Sequence, residues 1–232
     1  MSDIQIDAAG GGRFTGYLAV PKGGKGPGIV VAQEIFGVNA VMREVCDNLA
    51  AQGYAALCPD IFWRLEPGIQ ISDKTDAEWK RAFDLFNRFD VDRGIEDLKA
   101  ALSQLRHHPA CTGKVGSVGY CLGGKLAYLM ATRSDVDCSV GYYGVGIQDL
   151  LGEAGNIRNP LALHLAEKDQ YTPPAARESI VRALKDNPKV TLYSYPGMDH
   201  AFARTGGAHY DAAAASLAND RTSKFLRTHL GG

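Results

Sequence analysis

Residues 114–124 read KVGSVGYCLGG. An apolar run around Val115 and Val118 predicts a buried strand, and Leu122 to Arg133 follows a helical pattern. Between them, Gly119-Tyr120-Cys121-Leu122-Gly123 sets one nucleophilic side chain between glycines. A strand that turns tightly into a helix brings backbones close, which small residues permit. The helix beginning at Leu122 directs backbone N–H groups and its positive dipole end toward Cys121. That setting favours thiolate over thiol and stabilises a developing oxyanion. Cysteine can also be a small buried hydrophobe, the reading that fits Cys46, Cys58, Cys111 and Cys138.

Working outward, the same alternation recurs. Short alternating runs at Ile4–Ile6 and Phe14–Val20 predict an N-terminal antiparallel pair. Gly28–Ala32 is a continuous apolar run, as expected of a strand buried on both faces. A helix over Val41–Gln52 and a strand over Tyr54–Asp60 follow. Residues 61–75 lack a clean period and read as a loop, before helices over Asp76–Asn87, capped by Thr75 or Asp76, and Val91–Arg106. Beyond the opening stretch come strands in CSVGYYG, PLALHLAEKD and KVTLYSYPG, with helices over Pro174–Lys185 and from about Tyr210 to His229. Strand-helix alternation predicts an α/β fold: one mostly parallel sheet with helices on both faces, in three layers, as a single domain over residues 1–232.

Composition narrows the function. The chain has 232 residues, 45% of them hydrophobic, with 25 basic against 26 acidic side chains. No basic stripe suggests nucleic acid, and no apolar run is long enough to span a bilayer. Five cysteines without a C-x-x-C pair argue against a disulfide framework and a zinc site. No secretory signal pattern opens the chain. No metal cluster or G-x-G-x-x-G turn implies a cofactor. These features predict a cytoplasmic protein without cofactor, metal, nucleic acid or membrane.

In such sheets, functional groups gather beyond the carboxyl ends of the strands. Three of those loops carry Cys121, Asp169 and His200. A thiol must lose its proton to attack, an imidazole can take it, and a carboxylate can fix the imidazole's tautomer. Each residue has a plainer reading: Asp169 could cap a turn, and a loop histidine is often solvated. Chain order joins the three, and sets Asp199, adjacent to His200, aside as the acid. His107, His108, His164, His209 and His229 read as structural or solvated.

With these residues stand QEIFGVN (33–39), GYCLGG (119–124), GYYGVG (141–146), KDQYTP (168–173) and GMDHAFART (197–205). Together they resemble the dienelactone hydrolase family (carboxymethylenebutenolidases), cysteine-dependent members of the α/β-hydrolase fold. The resemblance implies a monomer that opens a dienelactone to maleylacetate through Cys121, Asp169 and His200. It further implies that the Ile35 and Leu122 N–H groups form the oxyanion hole and that Glu34 lies near the resting thiol. A carboxylate there disfavours a permanently exposed thiolate, which would be oxidised. Substrate displacing Glu34, which then receives the thiol proton, would arm Cys121. A serine hydroxyl is too weakly acidic for such a switch.

The family's two substrate-binding arginines map unevenly. Arg204 matches one of them, and a guanidinium suits a planar carboxylate. The other position is occupied by Trp79, with Lys80 and Arg81 nearby, and Ala201 stands where a serine is usual. Phe36 and Trp79 could form an apolar wall, and Tyr142 or Tyr143 a polar one. The expected partner is a small carboxylated lactone or ester. Alternatives are a broader carboxylesterase or thioesterase, and a non-catalytic thiol sensor or binding module.

Overall fold

The computed structural model describes residues 2–231. Eight strands form one sheet: β1 (Ser2–Asp7), β2 (Arg13–Ala19), β3 (Gly26–Ala32), β4 (Ala55–Pro59), β5 (Cys111–Tyr120), β6 (Ser139–Tyr142), β7 (Leu161–Ala166) and β8 (Val190–Tyr195). Their order is β1-β2-β4-β3-β5-β6-β7-β8. β1–β2 and β2–β4 are antiparallel, while β3–β4, β6–β7 and β7–β8 are parallel. The fold is α/β, as expected, with six α-helices among the described residues: α1 (Ala40–Ala51), α2 (Asp76–Arg88), α3 (Val91–His107), α4 (Leu122–Arg133), α5 (Pro174–Leu184) and α6 (Ala212–Leu230). None is long and apolar enough to cross a membrane.

The chain clusters into two compact units, one ending at Ser117 and one spanning Val118–Gly231. In the first, β3 and β4 are wholly apolar inside: Ile29, Val30, Val31, Ala55, Ala56, Leu57 and Cys58 are inaccessible to solvent. α1 and α3 pack on these strands. Asn39 caps α1 by accepting from Met42 N–H at 3.2 Å, and Thr75 caps α2 through Glu78 N–H at 3.2 Å. The irregular stretch expected between β4 and α2 is ordered by two acids. Asp60 accepts from Phe62 and Gly68 N–H. Asp97, inaccessible on α3, holds Arg64 bidentately and the Trp63 indole N–H.

In the second unit, α4 packs on β6 and α6 on β7. A 3-10 helix at Ile147–Asn156, which contains two glycines and is buried only at Ile147, carries no helical period that would announce it. β5 begins three residues before the expected Lys114. Its first four residues are exposed or half-buried, so they leave no apolar signature.

Candidate active site

Cys121 stands between β5 and α4 in a strained conformation, φ 57° and ψ −115°. Such geometry costs on the order of 1–3 kcal/mol and persists only where its surroundings enforce it. The Cys121 N–H donates to the Tyr142 carbonyl at 3.1 Å, and the Cys121 carbonyl accepts from Gly124 and Lys125 N–H. A Cβ on Gly119 would stand 1.9 Å from the Gly123 carbonyl oxygen, and one on Gly124 2.5 Å from that of Tyr142. Glycine is therefore required on both sides of the turn. Cys121 is the N-cap of α4 and makes no side-chain capping bond. The first N–H groups of α4, beginning with Leu122, have no carbonyl of the preceding turn to bond and lie beside it. Lys125, one turn along, has its pKa lowered by burial against the opposing pull of negative charge at Cys121 and Asp149.

Asp169 and His200 meet inside the protein, at 3% and 5% exposure. Nδ1 of His200 lies 2.8 Å from Asp169 Oδ2, so the carboxylate holds the Nδ1–H tautomer and leaves Nε2 for chemistry. Asp199 instead accepts the His200 backbone N–H at 2.7 Å. Burial pulls the His200 pKa down, but negative charge at Cys121 and the bond to Asp169 outweigh it and raise the pKa to about 10. Nε2 is buried without a hydrogen bond, and Cys121 acts on the imidazole through its charge.

The tyrosines expected as a polar wall divide. Tyr142 is inaccessible, and its hydroxyl bonds Thr222 at 2.6 Å. Tyr143, at φ 36°, packs edge-on to His200 with centroids 5.1 Å apart. Arg204 is buried at 7% exposure, with its N–H bonded to the Ala201 carbonyl at 2.9 Å.

In the first unit, Glu34, Ile35 and Phe36 are all buried just past the end of β3. Phe36 packs edge-on to Trp79 at 5.0 Å, Trp79 stacks on Phe83 at 5.6 Å, and the indole N–H donates to the Asp73 carbonyl. Arg81 is ion-paired with Glu66 at an exposed position, and Lys80 is exposed.

Two further residues are prominent in the second unit. His164 is inaccessible and bonded at both ring nitrogens, to Tyr195 Oη at 2.6 Å and Thr222 Oγ1 at 2.9 Å. Burial, aided by the Arg221 charge, lowers its pKa to about 3. Tyr171 packs against His200; its place two residues after Asp169 was the only signal available for it. Among the described residues no group of three or more His, Cys, Asp or Glu side chains could hold a metal ion.

A sheet of this order with a strained strand-to-helix cysteine and a buried carboxylate–imidazole pair defines a hydrolase-type α/β protein. The chain belongs to the dienelactone hydrolase family, which matches residues 14–230, and it is a hydrolase of carboxylic ester (lactone) bonds. A protein of Azospirillum brasilense is 53% identical over 235 residues, all of both chains. The carboxymethylenebutenolidase of Pseudomonas putida is 42% identical, over 96% of this chain and 94% of its own. Among solved structures, the dienelactone hydrolase of Anabaena variabilis shares the fold at TM-score 0.71 and 19% identity, covering 99% and 98% of the two chains. A promiscuous dienelactone hydrolase-like phosphotriesterase from metagenomic libraries does so at TM-score 0.80 and 23% identity, covering 99% of each.

Proposed function

We propose that the protein opens a dienelactone to maleylacetate through a thioester on Cys121, with His200 and Asp169 as its partners. The observation that carries this reading is the buried 2.8 Å Asp169–His200 pair, whose imidazole responds to charge on a cysteine held at the N-terminus of α4. Thiolate attacks the lactone carbonyl, and the oxyanion is received by the Leu122 and Ile35 N–H groups. The tetrahedral intermediate collapses, the carbon–oxygen bond breaks, and the enolate leaves as the ring opens. The enolate takes up the proton that Glu34 received from the thiol, and His200 stays neutral for the second half of the reaction. The neutral imidazole then takes a proton from water, hydroxide attacks the thioester, and the thiolate returns. An enolate leaves readily, which suits a sulfur nucleophile.

Glu34 and Ile35 enter this reading through the family resemblance, supported by their burial beyond β3. Glu34 is the resting-state restraint on the thiol, displaced by substrate. Arg204 holds the substrate carboxylate, with Tyr143 and Phe36 as walls. Five free thiols suit a reducing cytoplasm, and the resemblance supports a monomer.

A second reading, a broader carboxylesterase or thioesterase, is favoured by Trp79. It stands where a second substrate-binding arginine is expected and packs with Phe36 and Phe83, while Arg81 is engaged with Glu66. Ultraviolet-monitored turnover of cis- and trans-dienelactone, with p-nitrophenyl acetate alongside, separates the two. Dienelactone loss that disappears in Cys121→Ala is expected. Cysteine-dependent turnover of p-nitrophenyl acetate alone would replace the lactone with an uncharged ester.

A further inference from the structure

The His200 imidazole has a tyrosine edge-on to it at two places. Tyr143 is 2% exposed, whereas Tyr171 is 38% exposed and packs at 4.8 Å and 77°. The turn beyond β7 fixes Tyr171: its N–H donates to Asp169 Oδ1 at 2.8 Å, and Thr172 N–H to the Asp169 carbonyl at 3.2 Å. The carboxylate that orients the imidazole thus also orients the exposed ring beside it. Packing against an imidazole needs only a ring, which phenylalanine would supply.

The hydroxyl is what requires an explanation. Tyr17, Tyr128, Tyr142 and Tyr195 each commit theirs to a protein partner. Among the described residues, that of Tyr171 makes no hydrogen bond, although its ring packs against the candidate catalytic imidazole. Its ionisation is disfavoured, first by partial burial and then by negative charge at Cys121 and Asp169, with Arg204 opposing. It is therefore a neutral donor that senses both the sulfur and the buried guanidinium. A donor so placed suits an acceptor carried by the substrate, and a carboxylate is the acceptor that Arg204 also attracts.

We propose that Tyr171 is a specificity-determining residue: its hydroxyl donates to the carboxylate of an anionic ester that Arg204 also holds, a neutral donor serving in place of a second cation. This rests on the ester-hydrolase reading and on Cys121 as nucleophile, but not on dienelactone as the substrate.

The test compares wild type with Tyr171→Phe on p-nitrophenyl acetate and on mono-p-nitrophenyl succinate, which adds a carboxylate to the same leaving group. A hydrogen bond to a charged group predicts that the succinate-to-acetate ratio of kcat/KM falls about tenfold or more in Tyr171→Phe, chiefly through the succinate KM. A merely packing role would leave that ratio unchanged, and an unchanged ratio overturns the proposal. A wild type that turns over neither ester overturns both this assignment and the hydrolase reading of the site. If wild type ignores dienelactone while the succinate ratio still falls, the lactone substrate is wrong and Tyr171 keeps its role.

Discussion

At the residue scale, the account depends on three side chains acting together. Cys121→Ala should reduce turnover by about 10³-fold or more with folding intact, as losing a nucleophile does in comparable triads. Asp169→Asn should cost on the order of 10⁴-fold in kcat, because the amide no longer enforces the Nδ1–H tautomer. His200 offers a direct readout of the electrostatics. With charge on Cys121 its imidazole should titrate near pH 10 in an NMR experiment, and well below that in Cys121→Ala, since burial then meets less opposition. An unchanged value in the variant would separate the imidazole from the sulfur. Glu34→Gln should speed thiol alkylation of the resting enzyme and slow its turnover; with both unchanged, the restraint on the thiol disappears. Cys121, Asp169 and His200 were singled out in the sequence for these proposed roles because each follows a strand with a recognisable signature, and Glu34 through the family resemblance. Tyr171 was not, since a loop has no periodicity and its ring contact with His200 exists only after two distant loops meet.

Local packing at the scale of elements decides whether the proposed nucleophile is presented at all. Gly119→Ala places a methyl group 1.9 Å from the Gly123 carbonyl oxygen, so the β5–α4 turn must shift. Activity should fall far more than thermal stability does, which paired melting and kinetic measurements would reveal. Asp97→Ala makes the opposite case. It strands Arg64 and the Trp63 indole in a part-buried place, and urea denaturation should register a loss of about 3 kcal/mol. The strands and long helices were readable because β3 and β4 are continuous apolar runs, β7 is apolar but for His164, and α2 opens on Thr75, which caps it; the caps of α1 and α3, Asn39 and Asp90, were not read from the sequence. Ends were harder. α6 starts at Ala212 because Asp211 caps it through Ala214 N–H, two residues after the expected start at Tyr210. The ordering of residues 61–71 by Asp60 and Asp97 is a tertiary effect that no local pattern could announce.

For the whole molecule, two buried histidines shape stability against pH with opposite signs. His164 has a pKa lowered to about 3, so the unfolded chain binds a proton that the folded one refuses. Its contribution is present above the ordinary value near 6.5 and is lost as pH falls toward 3. His200, raised to about 10, contributes fully below pH 6.5 and loses that contribution as pH rises through 10. Urea midpoints measured across pH should therefore decline on both sides of neutrality. His164→Gln should flatten the acid limb and Cys121→Ala the alkaline one. The single most direct measurement is mass spectrometry of protein acid-quenched during turnover of p-nitrophenyl acetate, followed by peptide mapping. The account predicts an acetyl group on the peptide that contains Cys121, absent from Cys121→Ala; steady turnover with that peptide unmodified, and undiminished in the variant, would contradict it.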